Sequence, residues 1–215
     1  MKPYIHLNSA MTADGKIATK DSTLKISGHD DLIRVHNLRK KYDAIMVGIN
    51  TILIDNPRLS IHKIDSKKED NPTRIVIDSS ARTPLDSKVL NDDADTIIIT
   101  SDKAEKEDIK RLSKKAIVFS VGDDKVNLAE AMDKLYEMGI SSILLEGGAT
   151  LNYSMLEERL VDKISVCIGS KILGGKDSVT LVDGKGFDKE ECVKLEIEDY
   201  YQLDNDIVIE YNVLY

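Results

Sequence analysis

Two glycines follow an acid in the stretch LLEGGATLN, which covers residues 144–152. The apolar run before the acid predicts a buried parallel strand, and the residues from Thr150 onward predict a helix. A glycine turn between such elements exposes backbone N–H groups at the positive end of a helix dipole, which suits a phosphate. Glu146 ends the predicted strand, at the edge where open α/β sheets bind ligands. The stretch therefore predicts an anion-binding loop beside a carboxylate, although an empty βα turn would also fit it.

Other polar residues follow strand-like runs elsewhere in the chain. Lys16 comes just after the Asp-Gly turn of NSAMTADGKIAT (residues 8–19). Thr51 and Asp55 are four apart on a short predicted helical turn and would share one face of it. Ser79 ends the strand-like RIVIDS. Each of these signals is weak alone, since solvated charges and turn residues are common.

Several familiar chemistries lack their sequence signatures. The chain has no GxGxxG after its first predicted strand and no GxxxxGK[ST], so the usual dinucleotide fingerprint and the P-loop are both missing. Its four histidines and two distant cysteines have no zinc spacing, so no metal is expected. No GxSxG nucleophile elbow is found. The profile that is left suits hydride transfer, in which a cofactor carries the chemistry and the protein binds and orients.

Composition predicts a globular protein of the cytoplasm. The chain has 215 residues, for which one domain over residues 1–215 is the better expectation, and 41% of them are hydrophobic. The balance of 30 basic against 38 acidic residues gives a net charge of -8, which argues against nucleic-acid and membrane-surface roles. No apolar run approaches the roughly 20 residues of a membrane span. Two cysteines suit a reducing compartment.

Strands alternate with helices, which predicts an α/β fold with a mostly parallel central sheet and a C-terminal antiparallel hairpin. The predicted strands are Tyr4–Ala10, Ala44–Val47, Arg74–Ile77, Thr96–Thr100, Ala116–Ser120, Ser142–Glu146 and Ile164–Ile168, and the hairpin strands are Val193–Tyr201 and Asp206–Val213. The predicted helices are Asp30–Lys41, Glu105–Lys114, Asn127–Met138 and Thr150–Glu158.

Five stretches together resemble the reductases of riboflavin biosynthesis, and the resemblance runs from Tyr4 to Tyr211. They are NSAMTADGKIA, IRVHNLRKKYDAIMVGINTILIDNPRLS, RIVIDS, LLEGGATLN, and KILGGKD with VDGKGF. The resemblance implies a fold similar to dihydrofolate reductase, with helices on both faces of the sheet. It also implies NADPH-dependent reduction of 2,5-diamino-6-ribosylamino-4(3H)-pyrimidinone 5′-phosphate, in which hydride reaches C1′ and the ribosylamino side chain becomes ribitylamino. NADH is left open as a second donor.

The resemblance also implies roles for individual residues. Matching the family's cofactor contacts are Thr51, Asp55, Gly147, Gly148, Ala149 and Thr150, with Ser79 as a weaker candidate near the adenosine. Glu146 and Lys16 match the catalytic positions, at which they would contact the substrate or move a proton. The candidates for binding the substrate are Arg39, Arg58, Leu59, His62 and Ser22. Arg39 ends the HxLR pattern of the first helix, where it also fits an ordinary helix-end charge.

Three alternatives stay open. A folate or pterin reductase of the same fold would use an acid on the first helix, here Asp30 or Asp31. A fragment of a fused deaminase-reductase is a second, although Met1 stands directly before the first strand and favours a complete chain. A sensor that binds NADPH without turnover is the third.

Two further questions also stay open. The ribose 2′-phosphate of NADPH needs a basic partner, for which Arg74, Arg82 and Lys103 are equal candidates. The resemblance also implies a homodimer, because the family is usually homodimeric, and the apolar late strands could pair across a two-fold axis.

Overall fold

The computed structural model describes residues 1–19 and 24–215 of the chain. The elements in chain order are β1 (Tyr4–Thr12), β2 (Lys16–Ala18), α1 (His29–Arg39), β3 (Ala44–Gly48), α2 (Ile49–Asp55), β4 (Thr73–Ile77), β5 (Thr96–Thr100), α3 (Lys106–Leu112), β6 (Ile117–Ser120), α4 (Leu128–Glu137), β7 (Ser142–Leu145), α5 (Ala149–Glu157), β8 (Lys163–Gly169), β9 (Val179–Thr180), β10 (Lys194–Leu203) and β11 (Asp206–Leu214). Among these, no helix is long and apolar enough to cross a bilayer.

Nine of the described strands form one mixed sheet in the order β10-β11-β8-β1-β7-β3-β4-β5-β6. The pairs from β8 to β6 are parallel, whereas β11 runs antiparallel to β8 and to β10. The mostly parallel sheet and the C-terminal antiparallel hairpin are thereby confirmed, with element ends that differ from the predicted ones by at most two residues. A separate small sheet pairs β2 with β9 and was not predicted, because strands of three and two residues carry no measurable alternation.

Two apolar layers cover the sheet, one on each face. The first layer contains buried side chains of α4 and α5, such as Met132 and Met155. The second contains side chains of α2 and α3, such as Ile52 and Leu112. Central strands such as β5 are buried along their whole length, which explains why their sequence is continuously apolar rather than alternating.

The carboxyl ends of β7 and β3 meet next to the glycine turn. The Glu146 N–H donates to the Met46 carbonyl at 2.9 Å, and the Gly48 N–H donates to the Gly147 carbonyl at 2.8 Å. The helix that follows β7, α5, packs on one face of the sheet, and the helix that follows β3, α2, packs on the other, so the connections leave these two neighbouring strands in opposite directions. Crevices of that kind bind ligands in open α/β sheets.

Candidate active site

Glu146 and Arg39 form a bidentate ion pair at the carboxyl end of β7. The distance from Arg39 Nε to Glu146 Oε1 is 2.9 Å, and that from Nη2 to Oε2 is 2.7 Å. The two side chains are only 12% and 14% exposed. Burial alone would lower the pKa of Arg39, but attraction and hydrogen bonding by Glu146 outweigh it and raise that pKa above its usual range. Arg39 is therefore a fixed cation that sets the orientation of the carboxylate.

A cluster around Ser60 supports the Arg39 guanidinium. Arg39 Nη1 donates to the Ser60 carbonyl at 3.0 Å, and His62 Nδ1 lies 3.1 Å from the same oxygen. The His62 backbone N–H donates to His36 Nδ1, and the two imidazole rings meet edge to face at 4.5 Å. Burial, followed by the nearby Arg39 charge, lowers the pKa of His36 to about 4. His36 therefore remains a neutral acceptor at physiological pH, beneath the loop that holds Arg39.

The glycine turn and α2 come together beside this pair. Gly147 has a φ of 91°, a conformation that favours glycine, and Gly148 is the N-cap residue of α5. No side chain caps the N-terminus of α5, so its first N–H groups face outward with the positive end of the helix dipole. A Cβ added at Gly148 would lie 3.4 Å from Thr51 Oγ1. These residues form a cradle that fits a pyrophosphate.

The remaining cofactor candidates lie on neighbouring elements. Asp55 is the last residue of α2, one helical turn after Thr51, and is exposed. Ser79 follows β4, and its hydroxyl accepts a hydrogen bond from the Val126 N–H at 3.2 Å. Its carbonyl accepts from Ser101 Oγ at 2.9 Å. Ser79 thus holds two neighbouring loops together at the carboxyl edge of the sheet.

One candidate for the ribose 2′-phosphate is excluded by its position. Arg74 is fully buried, and its guanidinium donates to the carbonyls of Asn91 and Ala94 inside the loop before β5. Its role is structural, because it provides hydrogen-bond donors to carbonyl groups of this loop. Arg82 and Lys103 are both exposed and stay open as candidates.

Lys16 lies on the small sheet rather than on the main one. Its ammonium donates to the Ser178 carbonyl at 3.1 Å, and Lys16 pairs with Thr180 across β2 and β9. No hydrogen bond or ion pair joins Lys16 to Glu146 in the part of the chain that the structure describes. The two predicted catalytic side chains are therefore held by different parts of the molecule.

The other predicted substrate contacts differ in what they offer. Arg58 is exposed and lines an open cavity of about 490 Å³ together with Lys88 and Lys115. The Leu59 side chain is 2% exposed within the core below α2, so any contact from Leu59 would come from its backbone. His62 is exposed, and its Nδ1 lies next to the Ser60 carbonyl. Ser22 lies outside the described residues.

Sequence reasoning did not predict two of the supporting residues. His36 stands one helical turn before Arg39, and that spacing was the available signal. Asn152 is 1% exposed below Gly147, and its amide Nδ2 donates to the Leu181 carbonyl at 2.9 Å. A buried asparagine on the first turn of α5 gives no signal until the chain segment above it is placed.

Comparison with known proteins identifies the family. The family described as RibD C-terminal domain matches residues 3–209. The chain is 50% identical over 214 residues to the 2,5-diamino-6-ribosylamino-4(3H)-pyrimidinone 5′-phosphate reductase of Methanothermobacter thermautotrophicus, covering 99% of each chain. The chain belongs to this family. It is thus an oxidoreductase of a family of riboflavin-biosynthesis reductases, and that membership implies a nicotinamide cofactor.

Fused relatives and a solved structure agree with this assignment. The chain is 39% identical over 219 residues to the riboflavin biosynthesis protein RibD of Actinobacillus pleuropneumoniae, covering 99% of this chain and 57% of that protein. The structure of Acinetobacter baumannii RibD superposes with a TM-score of 0.83 at 23% identity, covering 99% of this chain and 58% of that one. This likeness confirms the predicted dihydrofolate-reductase-like fold.

Proposed function

We propose that this reductase converts 2,5-diamino-6-ribosylamino-4(3H)-pyrimidinone 5′-phosphate to its ribitylamino form, with NADPH as the preferred donor. The observation that carries the proposal is the buried Glu146–Arg39 pair, which stands directly before the uncapped Gly147–Thr150 turn. The carboxylate would contact the substrate, and the glycine turn would hold the pyrophosphate of the cofactor. Because the two are consecutive in the chain, substrate and cofactor would meet at one edge of the sheet. A relative that is 50% identical is named for this phosphorylated pyrimidine.

The protein's part in the reaction is binding, orientation and proton handling. Bound NADPH would supply a hydride to C1′ of the ring-opened imine. The turn and Thr51 would hold the pyrophosphate. Glu146, fixed by Arg39, would accept hydrogen bonds from the amino groups of the pyrimidine or move a proton during ring opening. Lys16 would bind the ribose hydroxyls from the small sheet.

The substrate phosphate needs a cation that is free to meet it. Arg39 donates to Glu146 and to the Ser60 carbonyl, which assigns it first to orienting the carboxylate. Arg58 is the better phosphate candidate, because it is exposed and lines a cavity with two further cations, Lys88 and Lys115, against two carboxylates, Asp86 and Asp93. His62 lies four residues further along the same segment after α2 and stays a second candidate.

The pterin alternative needs an available acid on the first helix. Asp31 is 3% exposed, and its Oδ1 lies 2.7 Å from Arg34 Nε in a buried ion pair. Arg34 in turn donates to Asn8 Oδ1 at 2.9 Å. Asp30 points to the exposed side of α1. These contacts favour the riboflavin substrate over a pterin.

The test is oxidation of NADPH, followed at the absorbance band of the reduced nicotinamide. The purified protein is given the diamino ribosylaminopyrimidine phosphate and, separately, dihydrofolate. The proposal expects oxidation with the pyrimidine alone. Oxidation with dihydrofolate alone would move the protein to the pterin branch, and tight NADPH binding without turnover of either would support the sensor alternative.

We also propose that the protein is a homodimer, paired through one face of the C-terminal hairpin. Leu195, Ile197, Tyr200 and Ile207 share that face and are between 43% and 72% exposed. The same face continues into the buried first layer through the pairing of β11 with β8. An apolar sheet face left uncovered at the edge of a core is typical of a protein–protein interface.

Light scattering after size exclusion tests the homodimer. Ile197→Lys should produce a monomer, because a lysine in the centre of an apolar interface would be buried without a partner. Glu196→Lys is the matched control, since Glu196 pairs with Asn212 and therefore points to the opposite face. A wild-type monomer, or an Ile197→Lys dimer, would contradict the proposal.

We also propose that residues 1–215 form a single domain and that the protein is located in the cytoplasm. The main sheet takes strands from β1 through β11, which supports one folding unit. Cys167 is buried, Cys192 is exposed, and both are free, which supports a reducing compartment. Limited proteolysis and cell fractionation test the two points.

A further inference from the structure

A long segment, residues 170–193, connects β8 to β10 and crosses two parts of the site. We call it the strap. At one end the Ala13 N–H donates to the Lys171 carbonyl, and the Asp14 carboxylate accepts the N–H groups of Leu173 and Gly174 at 3.1 and 2.6 Å. Hydrogen bonds from Thr12 and then from these two amides lower the pKa of Asp14 to about 2. The turn before Lys16 is therefore tied to the strap.

The middle of the strap holds Lys16 itself. The strap contains β9, which pairs with β2, and its Ser178 carbonyl accepts the Lys16 ammonium at 3.1 Å. The backbone of Lys16 is fixed from its other side by Thr12 Oγ1 at 2.9 Å. The direction of the Lys16 side chain consequently depends on where the strap lies.

The far end of the strap packs against α5, the helix that begins at the glycine turn. The Asp183 N–H donates to the Ala149 carbonyl at 3.2 Å, and Tyr153 Oη donates to the Gly186 carbonyl at 3.0 Å. The Tyr153 ring also packs on Phe187, with 5.0 Å between the ring centroids.

Gly184 of the strap lies against the Tyr153 ring of α5. A Cβ added at this position would overlap the aromatic ring of Tyr153, which is a rigid group and cannot yield as a flexible side-chain end would. The strap backbone can therefore lie on this ring only because residue 184 has no side chain.

We propose that the strap positions Lys16 for the reaction and that Tyr153 and Gly184 are its positioning residues. This inference rests on the proposed function, in which Lys16 contacts the substrate. The strap contacts both Lys16 and α5, the helix whose first turn would hold the cofactor. The position of α5 therefore influences the position of the Lys16 ammonium. Tyr153 and Gly184 act through the strap and do not contact substrate.

The test is Gly184→Ala, alone and with Tyr153→Leu, which removes the ring that the new Cβ would meet. Gly184→Ala should speed amide hydrogen exchange at Lys16–Ala18, and should lower kcat/KM for the pyrimidine by about tenfold, which is no more than the loss expected from removing the Lys16 side chain. Tyr153→Leu alone should cost less than Gly184→Ala, because it loses the hydrogen bond to Gly186 and the packing on Phe187 but creates no overlap. The double variant should therefore recover from the values of Gly184→Ala to those of Tyr153→Leu alone. In a Lys16→Met background, Gly184→Ala should cause no further loss, because both changes remove the same contact.

Gly139→Ala is the control for a general loss of stability. Gly139 has a φ of 90° with open space around it, in the turn between α4 and β7, so alanine strains the backbone there without touching the strap. It should leave exchange at Lys16–Ala18 and kcat/KM unchanged. Unchanged exchange and kinetics in Gly184→Ala, or a loss that Tyr153→Leu does not relieve, would overturn the inference.

The exchange measurement separates this inference from the proposed function. If the wild type does not reduce the pyrimidine, the proposed function fails. The link from Gly184 to Lys16 is then judged by hydrogen exchange alone, since that readout needs no substrate. Exchange that rises in Gly184→Ala and recovers with Tyr153→Leu would support the link.

Discussion

The two predicted catalytic side chains, Glu146 and Lys16, are held in different ways. Glu146 follows a central strand, is nearly buried, and has both carboxylate oxygens bound by Arg39. Lys16 lies on a two-stranded sheet and donates to one backbone carbonyl of the strap. The carboxylate is therefore preorganised by the main fold, whereas the ammonium depends on a loop segment. We expect changes around Glu146 to affect both folding and catalysis, and changes around Lys16 to affect mainly catalysis.

Glu146→Gln should have the largest effect. The substitution keeps the shape of the side chain but removes the charge, and loss of a proton-transfer group typically costs about 1,000-fold. Arg39 would be left as a buried cation without a partner, which should lower the free energy of unfolding by about 3 kcal/mol. Steady-state kinetics and urea unfolding measure the two effects. Activity within a few-fold of the wild type would contradict a catalytic role for Glu146.

Arg39→Met should come next, with a loss of about 100-fold in kcat/KM, because Glu146 would lose its orientation. Arg39→Lys is the control that keeps the charge but not the bidentate geometry, and it should lie between methionine and the wild type. Because both substitutions break one pair, the effects of Arg39→Met and Glu146→Gln should be less than additive. Full additivity would show that the two residues act separately.

Lys16→Met should lower kcat/KM by about tenfold to 100-fold while leaving the urea midpoint close to that of the wild type. The Lys16 ammonium donates one hydrogen bond, to the Ser178 carbonyl of the strap, so little folding energy is expected from the side chain. Comparing the urea midpoint of Lys16→Met with that of Arg39→Met tests whether the Glu146–Arg39 pair contributes more to folding than Lys16 does. A loss of stability as large as that of Arg39→Met would contradict it.

The smallest effect concerns pH. The pKa of His36 is about 4 in the folded protein against an ordinary value of 6.5, so the unfolded chain binds more protons between those values. Stability from this group is complete above pH 6.5 and falls as the pH drops towards 4. His36→Asn should flatten that part of the curve of urea midpoint against pH. His6, whose pKa burial lowers to about 3, keeps some slope in the variant.

The sheet and its helices could be predicted from sequence because their signals are local. Continuous apolar runs such as Ile97–Ile99 indicate buried parallel strands, and the glycine pair after Glu146 marks a strand-to-helix turn. The prediction of a strand over Ser142–Glu146 was wrong by only one residue at its end. Local patterns of this kind fix which elements form and in what order.

The contacts that complete the site could not be predicted, since they join distant parts of the chain. Arg39 and Glu146 are 107 residues apart, and Lys16 and Ser178 are 162 apart. Arg74 resembled an available cation in the sequence, but the structure buries it under carbonyl groups. Only the tertiary arrangement distinguishes a cation that binds a ligand from one that satisfies a loop.

The proposed hydride transfer from NADPH to C1′ is tested most directly by labelling the hydride. NADPH deuterated at the transferred position of the nicotinamide is incubated with the enzyme and the diamino ribosylaminopyrimidine phosphate, and the product is examined by mass spectrometry and NMR. We expect one deuterium at C1′ of the ribityl chain, with transfer strongly slowed in Glu146→Gln. A product without deuterium at C1′, or no consumption of NADPH by the wild type, would contradict it.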